Sequence, residues 1–248
     1  MLKRILLVFV LVAALGFPLA AGAQEKLTVA VAANFINPFK EIAELFKEKT
    51  QIVVEGTFSS SGNLTSQIKE GAPYDVFLSA DEERPNILFR DGLAEKPLTY
   101  ARGQVILWTA RKDLCQEKSW QQVVQMDAVR KIAIANPTTA PYGAAAQAAL
   151  QKVGLWEKIE KNLVFAQNIA QAFQYCFTEN TDVGFCALSE ALSEQGKKGC
   201  FFEIEEAPII VQAACVLKKS SRQKAAGQFV AFLNSLEAEA VKKKYGYR

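Results

Sequence analysis

Histidine is absent from all 248 residues. This removes the commonest general base and the commonest transition-metal ligand, and so argues against a Ser-His-Asp hydrolase or a zinc enzyme. The cysteines Cys115, Cys176, Cys186, Cys200 and Cys215 form no CxxC pair. An odd count leaves at least one thiol outside any intrachain bridge, and the pairing stays open. Cys176, Cys186 and Cys215 lie inside apolar runs and read as small buried hydrophobes. A basic stripe is also missing: Lys and Arg number 29 against 26 Asp and Glu, and Lys242, Lys243 and Lys244 suit a solvated helix end. Nucleic acid is therefore not an expected partner.

At the N-terminus, Lys3 and Arg4 precede the apolar run Ile5 to Leu15, and Ala21-Gly22-Ala23 supplies the small-x-small pattern of a signal-peptidase site. A membrane anchor is the alternative, but the run is shorter than the roughly 20 residues that a spanning helix needs. Residues 1–23 are expected to be a cleaved signal peptide, with Gln24 as the mature N-terminus, in an exported and most simply periplasmic protein. No cysteine follows the cleavage site to carry a lipid. What remains is long enough to bury a substantial core as one large domain or two small ones.

Leu27 to Ala33, L-T-V-A-V-A-A, suits a strand buried on both faces of a parallel sheet and ends at Asn34. Asn37 and Pro38 read as N-cap and first residue of a helix whose apolar stripe is Phe39, Ile42, Leu45 and Phe46. A second strand over Ile52 to Phe58 leads through a hydroxyl-rich loop into a helix reaching about Glu70. Asp75 to Ser79 reads as a third strand, with Asp81 capping the helix after it. This β-α-β-α-β-α order predicts a parallel sheet with helices on its faces. Near Gln104 to Trp108 a strand leaves that unit and a second series begins. It holds a strand at Lys131 to Ala135, a loop at Asn136 to Gly143, and a helix at Ala144 to Lys152 closed by Gly154. A strand follows at Leu163 to Phe165, then a helix capped by Asn168, a strand at Val183 to Leu188, and a helix capped by Ser189. The strand Ile209 to Leu217 returns to the first unit, and helices at Arg222 to Leu233 and Glu237 to Lys244 close the chain. The expected fold class is α/β: two lobes joined by a two-strand hinge, with 24–103 plus 209–248 in the first lobe and 104–208 in the second.

Loops at the carboxyl ends of parallel strands are where such sheets bind ligands. The first lobe offers Ala33-Asn34 and Ser59-Ser60-Ser61; the second offers Pro141-Tyr142-Gly143, Asn168-Ile169 and the segment around Ala187. These are hydroxyls, an amide and backbone N–H groups near helix starts, with no Lys or Arg among them. Such a set suits a fully ionised oxyanion held by oriented neutral dipoles.

Several stretches together resemble the periplasmic molybdate-binding proteins of molybdate transporters. They are V-A-A-N-F at Val31 to Phe35, F-S-S-S-G-N-L at Phe58 to Leu64, G-A-P-Y-D-V-F-L-S-A-D at Gly71 to Asp81, A-N-P-T-T-A-P-Y-G at Ala135 to Gly143, and the closing K-K-Y-G-Y. The resemblance implies a class II periplasmic binding protein that is monomeric, has no cofactor and no enzymatic activity, and captures molybdate and tungstate between its lobes. Delivery to the membrane permease of an ABC transporter is implied with it. The implied contacts fall on Ala33 and Asn34, on Ser61 with Ser60 in support, on Tyr142, and on Ile169 through its N–H. They would hold molybdenum or tungsten only as the oxyanion, with no direct metal ligand. Asn34 stands where many members carry Ser, and Tyr142 where others carry Ala. Ala187 stands at the place of a family tyrosine, so no contact is carried over to it. One subgroup shares the Asn and the Tyr. The alternatives are a binding protein of this fold for sulfate, phosphonate or an organic acid, and an enzyme with Ser60 or Ser61 as nucleophile; the latter would need a Lys or carboxylate base.

Overall fold

The computed structural model describes residues 25–248; the expected export signal lies outside them. The described residues form two five-stranded sheets. The first is built from β1 (Lys26–Ala32), α1 (Ile36–Thr50), β2 (Val53–Ser59), α2 (Ser61–Lys69), β3 (Val76–Leu78), α3 (Glu83–Arg90) and β4 (Leu98–Gly103). The chain then crosses to β5 (Val105–Thr109), α4 (Trp120–Val123), β6 (Ile132–Ala135), α5 (Pro141–Lys152), α6 (Trp156–Ile159), β7 (Leu163–Ala166), α7 (Ile169–Phe177), β8 (Val183–Ala187), α8 (Leu188–Ala191) and β9 (Cys200–Glu203). It returns through β10 (Ile210–Val216), followed by α9 (Gln223–Phe232) and α10 (Leu236–Lys244).

Strand order is β2-β1-β3-β10-β4 in the first sheet and β7-β6-β8-β5-β9 in the second. In each, the three strands of the α/β unit run parallel, and strands next to the crossings pair antiparallel. β1 is apolar almost throughout because it has strands on both sides and helices on both faces. Val29 and Val31 face the core that holds Phe39, Ile42, Phe46 and Phe229, while Ala30 faces Leu64 and Ile68 of α2. Phe46 and Phe229 meet edge-to-face with ring centroids 5.2 Å apart, a favoured aromatic geometry. In the second lobe Trp108 is fully buried and packs edge-on to Phe173 at 4.9 Å.

Several local readings change. Helix α1 starts at Ile36, ahead of Asn37, because a short 3-10 turn over Ala33–Phe35 leads straight into it. Helix α5 starts at Pro141 rather than after Gly143, which puts Tyr142 in its first turn. Gly143 sits inside the helix because a Cβ there would lie 2.0 Å from the Ala135 carbonyl oxygen. Ser189 lies within α8 and caps nothing. Asp81 precedes α3 by two residues, yet its Oδ1 still accepts from the Arg84 N–H at 3.0 Å.

Cys115 and Cys200 are bridged, tying the segment after β5 to the start of β9 across 85 residues of sequence. Cys176, Cys186 and Cys215 are free and buried, as their apolar surroundings suggest. The lobes meet at Gly103, where β4 passes into β5. A Cβ on Gly103 would lie 2.0 Å from the Tyr142 hydroxyl oxygen and 2.6 Å from Gln212 Nε2. The C-terminal tail lies along the same strand. Arg102 N–H donates to the Arg248 carbonyl at 2.8 Å and Arg248 N–H returns the bond at 3.0 Å, which brings Tyr247 to the crossing.

Two expectations follow from these joints. Replacing both bridged cysteines by alanine should lower stability by about 2–4 kcal/mol, because the unfolded chain regains the freedom of a long loop. A urea midpoint equal to the parent's would refute this. Gly103→Ala should lower stability by about 1–3 kcal/mol through overpacking at the crossing, measured in the same way; an unchanged value would mean that Tyr142 yields freely.

Candidate functional site

Three helices begin at one place between the lobes. Ser60 is the N-cap of α2, with its Oγ accepting the Asn63 N–H at 3.4 Å. Asn168 is the N-cap of α7, its Oδ1 accepting the Gln171 N–H at 3.0 Å, as its sequence context suggests. Helix α5 has Pro141 at its first position, so the loss of one N–H there is harmless and Tyr142 carries the first N–H of the helix. A fourth wall comes from the 3-10 turn that starts at Ala33, directly after β1. Helix starts leave N–H groups without intrahelical partners and carry the positive end of the helix dipole, and here they converge.

The cavity they enclose is lined by Ala32, Ala33 and Asn34, by Ser59, Ser60, Ser61 and Ala80, and across the cleft by Ala140, Pro141, Tyr142, Asn168 and Ile169. All six residues singled out from the sequence, Ala33, Asn34, Ser60, Ser61, Tyr142 and Ile169, are thus brought together. None of the lining residues carries a charge. The space left is small, about 10 Å³ for the centre of a water-sized particle. Among the described residues, no group of three or more Cys, Asp and Glu is placed to hold a metal ion.

Individual donors differ in how free they are. Ser61 is buried, and its Oγ accepts from the Ala80 N–H at 2.9 Å, so its own hydroxyl proton remains to be given. The Ser60 oxygen is likewise used as an acceptor in capping, which leaves its proton available. Asn34 is already committed: its Nδ2 donates to Gln212 Oε1 at 2.8 Å and to the Tyr247 hydroxyl at 2.9 Å, and lies 3.4 Å from the Tyr142 hydroxyl. Both Nδ2 hydrogens are thus used, and Oδ1 is buried without a partner, so the side chain has no further donor to offer a ligand. Ala187 is fully buried, lies outside the cavity wall, and gives its N–H to Glu190 Oε2 at 2.9 Å.

Burial dominates the proton equilibria around this site. It pushes the Tyr142 and Tyr100 hydroxyls well above the ordinary phenol range and takes Tyr247 up to about 12, so all three stay neutral donors at physiological pH. Burial also raises the Glu190 carboxyl well above the usual carboxylate range, against the opposing effect of the Ala187 N–H.

The lobes touch around the rim. Gly62 N–H donates to the Thr139 carbonyl at 2.9 Å, and a Cβ on Gly62 would lie 2.9 Å from the Thr139 backbone. Gly62 therefore serves the close approach of the second lobe. Arg84 Nη2 donates to the Thr138 carbonyl at 3.2 Å, and Ser189 Oγ donates to the Asn34 carbonyl at 2.8 Å. Asp81 pairs with Arg84, and Asp75 accepts from the Thr28 N–H and the Ser220 hydroxyl; both carboxylates work within the first lobe, outside the cavity wall. Gln212, Tyr247, Tyr100 and Ser189 are functional-site neighbours that sequence reasoning passed over. Gln212 did leave a signal, as a lone polar residue inside the apolar run Ile209 to Leu217.

Residues 27–248 match the family described as bacterial extracellular solute-binding protein. The molybdate-binding protein ModA of Rhodobacter capsulatus is 40% identical over 239 residues, covering 96% of this chain and 92% of the relative. The ModA of Azotobacter vinelandii is 39% identical over 244 residues, covering 96% of each. A solved periplasmic molybdate-binding protein from Azotobacter vinelandii superposes with a TM-score of 0.85 at 33% identity, over 90% of this chain and 98% of that one. Fold, cavity and relatives agree: the chain belongs to the bacterial extracellular solute-binding proteins.

Proposed function

We propose that this protein captures molybdate, and tungstate with it, in the cavity between its lobes and delivers the anion to the membrane permease of an ABC transporter. The observation that carries the reading is the wall of the cavity: three helix starts and neutral hydroxyls, with no charged side chain. A doubly charged tetrahedral oxyanion carries its own charge and needs many short donors around it, and helix starts supply them at fixed directions. The small space supports a compact ion over an organic acid, which would also need room and usually a Lys or Arg. The names of relatives that share 40% and 39% of their residues with this chain point the same way.

In this reading the protein works as a monomer in the periplasm after loss of residues 1–23, and it needs no cofactor. It performs no chemistry on the anion. Ser60 and Ser61 have no histidine to activate them anywhere in the chain, and their oxygens accept N–H bonds that stabilise the loop. Direct contacts come from the Ser61 hydroxyl and N–H, the Ser60 hydroxyl, the Tyr142 hydroxyl, the Ile169 N–H and the N–H groups at Ala33 and Asn34. An anion touching both lobes favours the closed arrangement that the rim bonds describe, and a permease can then read that arrangement. Sulfate is smaller and would leave some donors unpaired, at about 1–3 kcal/mol each.

Thermal unfolding with sodium molybdate, tungstate, sulfate and phosphate tests the assignment. At 100 times its dissociation constant the true ligand adds roughly 2.7 kcal/mol, so molybdate and tungstate should raise the midpoint clearly and sulfate little. A shift with phosphate or sulfate alone would sink the proposal. Within the hydroxyl loop, Ser61→Ala should weaken molybdate binding at least tenfold, about 1.4 kcal/mol, while Ser59→Ala should do much less. Titration calorimetry on the two variants checks this, and equal affinity for parent and Ser61→Ala would remove Ser61 from the site.

A further inference from the structure

We infer that Gln212 is the positioning residue of the oxyanion site: from the hinge strand it fixes which way the Tyr142 hydroxyl proton points, and so aims that proton into the cavity. The inference rests on the oxyanion reading above. Gln212 is fully buried in β10, the strand that returns from the second lobe to the first. Its side chain touches a cavity-lining residue of each lobe. Oε1 accepts from Asn34 Nδ2 at 2.8 Å and from the Tyr100 hydroxyl at 3.1 Å; Nε2 donates to the Tyr142 hydroxyl oxygen at 3.1 Å. Asn34 Nδ2 also approaches that oxygen, at 3.4 Å.

The Tyr142 oxygen therefore receives one committed donor from the hinge side, Gln212 Nε2, because Asn34 Nδ2 has two hydrogens and gives them to Gln212 and Tyr247. A phenol has one proton, and Gln212 Nε2, being a donor, cannot take it; that leaves the Tyr247 hydroxyl, with which Tyr142 is hydrogen-bonded, and the cavity, where an anion is the stronger acceptor. Tyr142 is buried and lines the cavity, so an anion placed there is the acceptor the geometry calls for. Gly103 keeps this arrangement possible, since any side chain there would meet the Tyr142 oxygen and Gln212 Nε2 together. Tyr247 completes the support. Its hydroxyl donates to the Asn34 carbonyl at 2.7 Å and accepts from Asn34 Nδ2, which holds Asn34 against Gln212.

A double-mutant cycle read by titration calorimetry with sodium molybdate tests this. Y142F and Q212M should each bind at least tenfold more weakly than the parent, and the double variant should be no weaker than either alone, because Gln212 acts through Tyr142. A smaller loss in Q212M, or losses that multiply in the double variant, overturns the inference. Q212E adds a signature that a purely structural role would not produce. Ionised, the introduced carboxylate can only accept, so the phenol proton turns away from the cavity; protonated, it can donate again. Affinity relative to the parent should therefore recover from pH 9 to pH 5 in Q212E and stay flat in Q212M. A Q212E that binds no better than Q212M at pH 5 also overturns the inference.

Facing Gln212 are Tyr100 of β4, Tyr142 of α5 and Tyr247 of the tail, with Glu190 of α8, Asp81 before α3 and Lys242 of α10 behind them. The phenols stay neutral across this range, and the ratio to the parent at each pH sets aside the titration of Glu190 that both proteins share. If the parent takes up neither molybdate nor tungstate, the oxyanion reading falls and this inference with it. If the parent binds and the variants match it, only the inference falls.

Discussion

The convergence of three helix starts on one uncharged cavity is the constraint on which the remaining structure depends. An ionised group taken out of water needs charges or dipoles to replace its hydration, and without them burial is prohibitive. A lysine or arginine would supply the charge, but with a long side chain that must be ordered and a strong field that attracts any anion. Helix starts supply partial charges already fixed by the fold, each worth about 0.3–1 kcal/mol at an exposed site and more when buried. Their positions follow from the sheets: β1 and β2 end on one side of the cleft and β6 and β7 on the other, and Ser60, Ala140 and Asn168 are where the chain next turns into helix.

Two sheets can present their loops to each other only if the crossing between them is tightly specified. Gly103 supplies that specification by lacking a side chain, since the space it leaves is filled by the hydroxyl of Tyr142 from one lobe and the amide of Gln212 from the other. The tail adds Tyr247 through its pairing with β4. The crossing is thus a buried polar cluster beside the cavity, in which Gln212 and Tyr247 each donate and accept. Such a cluster fixes directions more firmly than an apolar contact would, because turning one hydroxyl leaves a neighbour unpaired in a low dielectric. The rim bonds from Gly62 and Arg84 differ in kind. They are few and lie at the rim, away from the buried cluster.

Much of this was legible because it is local. Short β-branched runs mark the strands, and Ser60 and Asn168 mark helix starts by a capping chemistry that acts over three residues. The hydroxyl loop, Tyr142 and Ile169 fell where strand ends suggested, since α/β order dictates which loops share a face. The start of α5 was misplaced for an equally physical reason: P-Y-G reads as a turn, and only the 2.0 Å approach of a Cβ at Gly143 to the Ala135 oxygen explains a glycine inside the helix. Gln212, Tyr247 and Ser189 were out of reach because the direction of a buried polar side chain is set by partners 178, 213 and 155 residues away in sequence. The Cys115–Cys200 bridge is the same case, as five cysteines without a spacing signature leave their pairing undetermined.

Glu190 shows how far the exclusion of charge extends. Its carboxyl is buried beside Asn34 and Ser189, with Oε2 on the Ala187 N–H and Oε1 without a partner. An ionised carboxylate here would oppose any anion in the cavity and would lack the hydrogen bonds to sustain it. Burial resolves the conflict by favouring the neutral acid, as the upward displacement of its pKa expresses. The sign of the linkage follows. A carboxyl whose folded pKa is raised binds more protons folded than unfolded, so it weakens the fold as pH rises from the unfolded value through the folded one. A residue that costs stability in this way is tolerable because its carboxylate oxygen holds the start of α8, and α8 carries the Ser189 hydroxyl that reaches across to Asn34. The uncharged residues on the wall of the site are thus matched by burial that favours the neutral form of Glu190.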